Sequence, residues 1–224
     1  MNFGKKTEGE NMKKRWVSIL VIGLASLIFA GCFNITQHIS KEGNDLNVFV
    51  KFAVCKNIFE MSGSMGGKKS DDPCQDIFKY NEESIINGFP KNIEANYVKT
   101  DSEIECGYEM YMSVDVKSKD YKKLKKSNVP ALFPLVGDDE IYIKFPQSEE
   151  EEGGGDQMGA AFMSSAVYRL TVNRNVMDKI NMVTFKNADE THDIPFIELP
   201  DIFIIEVPLG FWIASSSPCE LIIK

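Results

Sequence analysis

Apolar and polar residues alternate through Leu46, Val48, Val50, Phe52 and Val54, the period of a strand with one buried face. The alternation is stronger further on. Ile104, Cys106, Tyr108, Met110, Met112, Val114 and Val116 fall on one side, and Glu103, Glu105, Glu109, Tyr111, Ser113 and Asp115 on the other. One face core and one face wet is the mark of an antiparallel sheet. Shorter β-prone runs at residues 33–39, 93–99, 141–145, 167–172, 182–185, 202–207, 211–214 and 221–223 predict further strands, with a turn over residues 41–45. Pro200, Pro208 and Pro218 interrupt the last of these, which suits short or edge strands. Helical spacing is clearest over residues 73–87, where Ile77, Phe78, Ile85 and Ile86 recur, Pro73 suits a first turn and Gly88 a stop. Residues 56–61, 158–164 and 176–180 carry shorter helical patterns. The whole predicts an α+β fold, a mainly antiparallel sheet with one or two helices packed on one face.

The polar stretches between these elements offer little chemistry. Residues 62–72 form a Gly, Ser and Lys loop; its GSMGGKKS run lacks the glycine that a phosphate loop needs directly before Lys-Ser. Lys122, Lys123, Lys125 and Lys126 surround Leu124 and read as a solvated surface, with contact to phosphate or carboxylate groups as the functional alternative. Residues 148–156 (SEEEEGGGD) cannot pack and predict a mobile loop that offers no fixed cage for a cation. The Glu103, Glu105 and Glu109 face reads as solvated charge that also guards a sheet edge. Residues 189–193 (DETHD) hold the side-chain types of a metal or acid/base site, yet charged residues between β-prone segments ordinarily make a turn. His38 and His192 are the only histidines.

The N-terminal stretch has a different character. Lys13, Lys14 and Arg15 precede an apolar run from Trp16 to Phe29 that closes on Ala30, Gly31 and Cys32, the order of charge, apolar core and small residues found in secretion signals. The run falls short of a spanning helix, and a membrane anchor would leave the Gly-Cys ending unexplained. Phe29-Ala30-Gly31-Cys32 resembles the lipobox of bacterial lipoproteins. The resemblance implies cleavage before Cys32, acylation of that cysteine, and a chain divided into a signal peptide over residues 1–31 and a single lipoprotein domain over residues 32–224. Met12 is read as the start codon, because Glu8 and Glu10 add nothing to a signal. Two or three acyl chains suffice for stable anchoring, since each buried methylene contributes about 0.8 kcal/mol. Phe33 stands where lipoproteins retained at the inner membrane of enterobacteria carry aspartate, which points toward an outer membrane where one exists; the location is otherwise a cell membrane, with the domain exported. The strand-turn-strand that follows Cys32 is similar to uncharacterised β-rich LppM-like lipoprotein domains, a likeness with no diagnostic motif and no function to carry over.

Charge and cysteine use narrow the partners. The chain holds 25 basic and 33 acidic residues. Without the first 32 residues, which hold five basic and two acidic ones, 20 basic face 31 acidic, a net of −11. Nucleic acid needs a basic footprint and is excluded, and the lipid on Cys32 must hold the membrane without help from charge. Beyond Cys32, an even set of cysteines (Cys55, Cys74, Cys106 and Cys219) in an exported chain suggests disulfides, with Cys55–Cys74 and Cys106–Cys219 the favoured pairing and buried thiols the alternative. No Cys-x-x-Cys, G-x-S-x-G or H-E-x-x-H occurs, so neither a metal site, a cofactor nor catalysis is expected. The leading expectation is a non-catalytic, membrane-anchored lipoprotein that binds an envelope partner or supports the envelope. The alternatives are a carrier of an apolar ligand, motivated by Met110, Met112, Met158, Phe162 and Met163, and an enzyme whose groups assemble from distant residues.

Overall fold

Ten residues, with Ile35 and Ile39 inward on either side of Gln37, make β1 (Phe33–Glu42), and after Gly43 the chain turns back as β2 (Asp45–Cys55). Gly43 has φ of +60°, a conformation that costs glycine nothing and lets the hairpin close in two residues. The computed structural model describes residues 33–57, 74, 93–126, 129–145, 166–188, 190–213, 215 and 217–224. Around the hairpin stand β3 (Glu94–Asp101), β4 (Glu105–Asp115), β7 (Val167–Asn173), β10 (Phe196–Glu198) and β11 (Ile202–Pro208), in the order β10-β11-β7-β1-β2-β4-β3. All neighbours pair antiparallel except β1 and β7, which run parallel. β1 is thus the central strand of seven.

A second sheet, wholly antiparallel, has the order β5-β6-β12-β8-β9, from β5 (Pro134–Val136), β6 (Ile141–Phe145), β8 (Val183–Lys186), β9 (Thr191–Asp193) and β12 (Cys219–Ile223). Its inward residues Ile141, Ile143, Phe145, Phe185, Leu221 and Ile223 form one buried cluster with Ile35, Ile39, Val48, Leu170, Val172 and Phe203 of the larger sheet. Phe145 makes the junction tangible: its ring lies 5.0 Å from that of Tyr168, 5.3 Å from Phe185 and 5.9 Å from Trp212. Edge-to-face pairs of this kind contribute about 0.5–1.5 kcal/mol beyond the area they bury.

The α+β expectation is therefore overturned: the described residues are mostly β and 9% helical, and the face expected to carry helices packs against a second sheet. The helices described are the five-residue α1 (Lys119–Lys123) and the four-residue α2 (Gly210–Ile213). Ser118 caps α1 by accepting from the Tyr121 N–H, and its core contact is the buried Tyr121. Residues 211–214, expected as a strand, begin instead with the last residues of α2; residues 176–180 are irregular rather than helical, with Val176 ending a turn; and Thr191–Asp193, expected in a turn, is a strand. Lys56 and Asn57 are helical, but the rest of the expected helix at 56–61 lies outside the described residues. So do, apart from Cys74, the expected helix at 73–87, the loop at 62–72, the acidic segment at 148–156 and the 158–164 segment.

Among the described residues, Thr184 and Ser215 are buried polar side chains, and Gln37 is the one with no exposure at all. Gln37, on the inward face of β1 between Ile35 and Ile39, is fully buried. Its Oε1 accepts from the Tyr168 hydroxyl and its Nε2 donates to the Leu132 carbonyl at 2.9 Å. Gln37→Leu is expected to destabilise the fold by about 2–4 kcal/mol in urea unfolding despite its added apolar area, since it strands a hydroxyl and a carbonyl. Burial also pushes the Tyr168 phenol well above 10. The folded state prefers the neutral phenol, so stability is full at lower pH and declines as pH rises above about 10. Denaturation midpoints measured across that range should fall for the native chain and fall less steeply for Tyr168→Phe.

Candidate functional site

Alternation places the odd-numbered residues of β2 and β4 and the even-numbered residues of β1 and β3 on the outer face of the large sheet, and pairing aligns them in rows. One row reads His38, Phe49, Tyr111 and Asn96 across β1, β2, β4 and β3. The next reads Ser40, Asn47, Ser113 and Glu94. Together these rows line an open groove of about 320 Å³. Phe49 and Tyr111 tilt against each other with centroids 4.9 Å apart, and the Tyr111 side remains 49% exposed. The Ser113 hydroxyl donates to Asn47 Oδ1 at 3.0 Å, and the Tyr111 hydroxyl reaches Glu109 at 3.5 Å. Burial holds the His38 imidazole below its ordinary pKa, so it is neutral at pH 7.

The row on the other side of His38 carries charge that is already matched. Lys51 lies 2.5 Å from Glu105 and 4.0 Å from Glu109, and Arg169 lies 2.7 Å from Glu206. Glu105 and Glu109, expected as solvated charges, are half-buried and face this lysine. A second groove, about 290 Å³, lies between α1 and β6, lined by Tyr121, Leu124, Val136, Glu140 and Tyr142. At its rim Glu140 takes Lys126 at 2.6 Å and Lys224 at 3.5 Å, and the bond from Lys126 is the main reason its carboxyl lies below the usual range. Part of the lysine cluster is thereby neutralised.

The remaining sequence candidates are scattered. His192 stacks on Phe211 at 4.2 Å with planes 6° apart and sits 3.1 Å from Glu190, closing the edge of the smaller sheet. Among the described residues no three His, Cys, Asp or Glu side chains gather as metal ligands. Met110 and Met112 face Val50 and Val48 across β2 and join the core, while Met158, Phe162 and Met163 lie outside the described residues, as does Cys32. No helix of the described residues is long and apolar enough to cross a membrane.

The cysteines pair differently from the favoured reading: Cys74 is joined to Cys106, with Cα atoms 5.8 Å apart. Strand parity explains this. Cys106 opposes Val54 and shares its buried face, whereas Cys55 opposes Glu105 and projects from the other side of the sheet. Cys219 is buried in β12 between β6 and β8, its thiol pushed up by burial and 3.6 Å from the Ser217 carbonyl.

Sequence reading missed the groove, taking Tyr111 and Ser113 as a merely wet face. The available signal was aromatic: Phe49 and Tyr111 stand at positions where the alternation calls for polar residues. The chain matches no family model, no curated protein and no solved structure.

Removal of the Cys74–Cys106 bridge, which closes a separation of 32 residues, is expected to cost about 3–4 kcal/mol. Urea midpoints of Cys106→Ser should fall accordingly, and reductant should lower the native midpoint without moving that of the variant.

Proposed function

We propose that the chain is a bacterial lipoprotein, acylated at Cys32, whose β-sandwich binds a partner at the cell surface without chemistry of its own. The observation that carries the reading is the junction at Cys32: the signal-like segment ends there, and the central strand of the large sheet starts at the very next residue, Phe33. A lipid on Cys32 would therefore be coupled to the sheet with no intervening tether, and the bilayer would hold the domain rather than a flexible tail. The open groove supports binding over enclosure, because it is shallow and lined by polar and apolar side chains together. The acidic surface leaves anchoring to the acyl chains, consistent with a net of −11 beyond Cys32.

Expression of the full chain in a bacterial host fed an alkyne-tagged fatty acid tests this directly. The native protein should take up label and begin, by intact mass, at an acylated Cys32; Cys32→Ser should take up none and retain its N-terminal segment. An unlabelled native chain that keeps residues before Cys32 would sink the lipoprotein reading.

A further inference from the structure

The outer-face groove has a chemistry that selects its ligand class. The two rows that form it contribute an aromatic pair, Phe49 and Tyr111, flanked by the side-chain amides of Asn47 and Asn96 and the hydroxyl of Ser113. The cations of the neighbouring row, Lys51 and Arg169, are each engaged by carboxylates, and the one charge lining the groove is the carboxylate of Glu94. A phosphate or other anion finds no unmatched positive partner among these residues and meets a negative one. An apolar ligand would strand the amides, which lose more by going unpaired than they gain by burial.

Amides present donors and acceptors together, and hydroxyls do the same, which is what a ligand bearing many hydroxyls requires. A half-exposed ring supplies a flat apolar surface for the C–H face of a sugar. Four strands spaced at about 4.8 Å span about 14 Å, the length of two or three pyranose units laid across the strands. We propose that this groove binds a neutral glycan chain, with Tyr111 as the stacking platform and Asn47 and Asn96 reading the hydroxyls on either side. The proposal deepens the reading of the domain as a binding module, yet it does not depend on acylation of Cys32.

The test is a calorimetric titration of the full chain, purified in a detergent without a sugar headgroup, with maltotriose, cellotriose and the trimer of N-acetylglucosamine. At least one trimer should bind saturably with a Kd between about 0.1 and 1 mM, and the three together separate plain glucans from N-acetylated ones. Tyr111→Ala should weaken it at least about tenfold and Tyr111→Trp should preserve it. Tyr111 is half exposed, so a melting temperature near the native one certifies that Tyr111→Ala is folded. Absence of saturation for all three trimers up to about 10 mM overturns the proposal, as does equal binding by folded Tyr111→Ala, or competition by inorganic phosphate. Mass analysis of the bound trimer separates the two readings: an intact sugar agrees with both, whereas cleavage lost in Tyr111→Ala upholds the groove and overturns the non-catalytic reading. A chain that fails to take up lipid but binds the trimer sinks the anchor alone.

Discussion

The two sheets are locked together through the carboxamide of Gln37. Hydrophobic contact between them is extensive but not directional; Phe145, Tyr168 and Phe185 would tolerate small slips of one sheet over the other. The amide does not, because its oxygen must accept from Tyr168 and its nitrogen must donate to Leu132. Leu132 belongs to the smaller sheet's side, where its N–H donates to the Lys144 carbonyl at 2.8 Å. It also holds a φ of 59°, a left-handed conformation that costs a non-glycine residue about 1–2 kcal/mol. The backbone is kept there because its carbonyl is the acceptor that Gln37 demands and its N–H the donor that Lys144 demands. A central strand, a neighbouring strand and a strained corner are thus mutually specified by one side chain.

Long strands were legible because their alternation ran for enough residues to be distinguished from noise. β2 and β4, eleven residues each, lie where the pattern put them, and β1, β7 and β11 extend the predicted runs by no more than a few residues. The smaller sheet was not legible as a sheet. Its strands are three to five residues long, and four apolar residues in a row serve a buried strand and a helical turn equally well. Without knowledge that β6, β12 and β8 are neighbours, the apolar face of the large sheet called for a cover, and helices were the nearest candidates. Pairing between segments as far apart as Ile141 and Ile223 is a fact of topology that periodicity cannot carry.

The same limit shaped the reading of particular residues. Parity along β2 and β4 would have separated Cys55 from Cys106, but only once their register was known; a one-residue slip would reverse the conclusion. Ile104 continued the apolar face of β4 in sequence, yet it lies in the turn before the strand and is 72% exposed. Gly107 shows what register demands locally: a Cβ there would come within 1.9 Å of the Phe52 carbonyl oxygen, so the close approach of β2 and β4 at this point requires glycine. The groove was hidden for a related reason. Each strand contributes only two or three of its residues, and an aromatic at an outward position means little until its neighbours across three other strands are aligned beside it.

Alignment also relates the groove to the proposed anchor. β1 runs from Phe33, next to Cys32, toward Glu42, and the groove rows cross it at His38 and Ser40. Five to seven residues of extended chain span about 17–23 Å, so a lipid on Cys32 would hold the groove at least a headgroup layer clear of the bilayer. Between the two lies the matched-charge row of Lys51, Glu109, Arg169 and Glu206, which carries no net attraction for an anionic membrane surface. The hairpin turn at Gly43 stands at the far end, away from the lipid. With the proposed lipid on Cys32, so short a connection would restrict the site to ligands that come to the membrane, such as long polymers of the surrounding envelope. Strand direction and row chemistry, together with the proposed anchor, therefore favour the same occupant: an extended, neutral polymer crossing the sheet at right angles to β1.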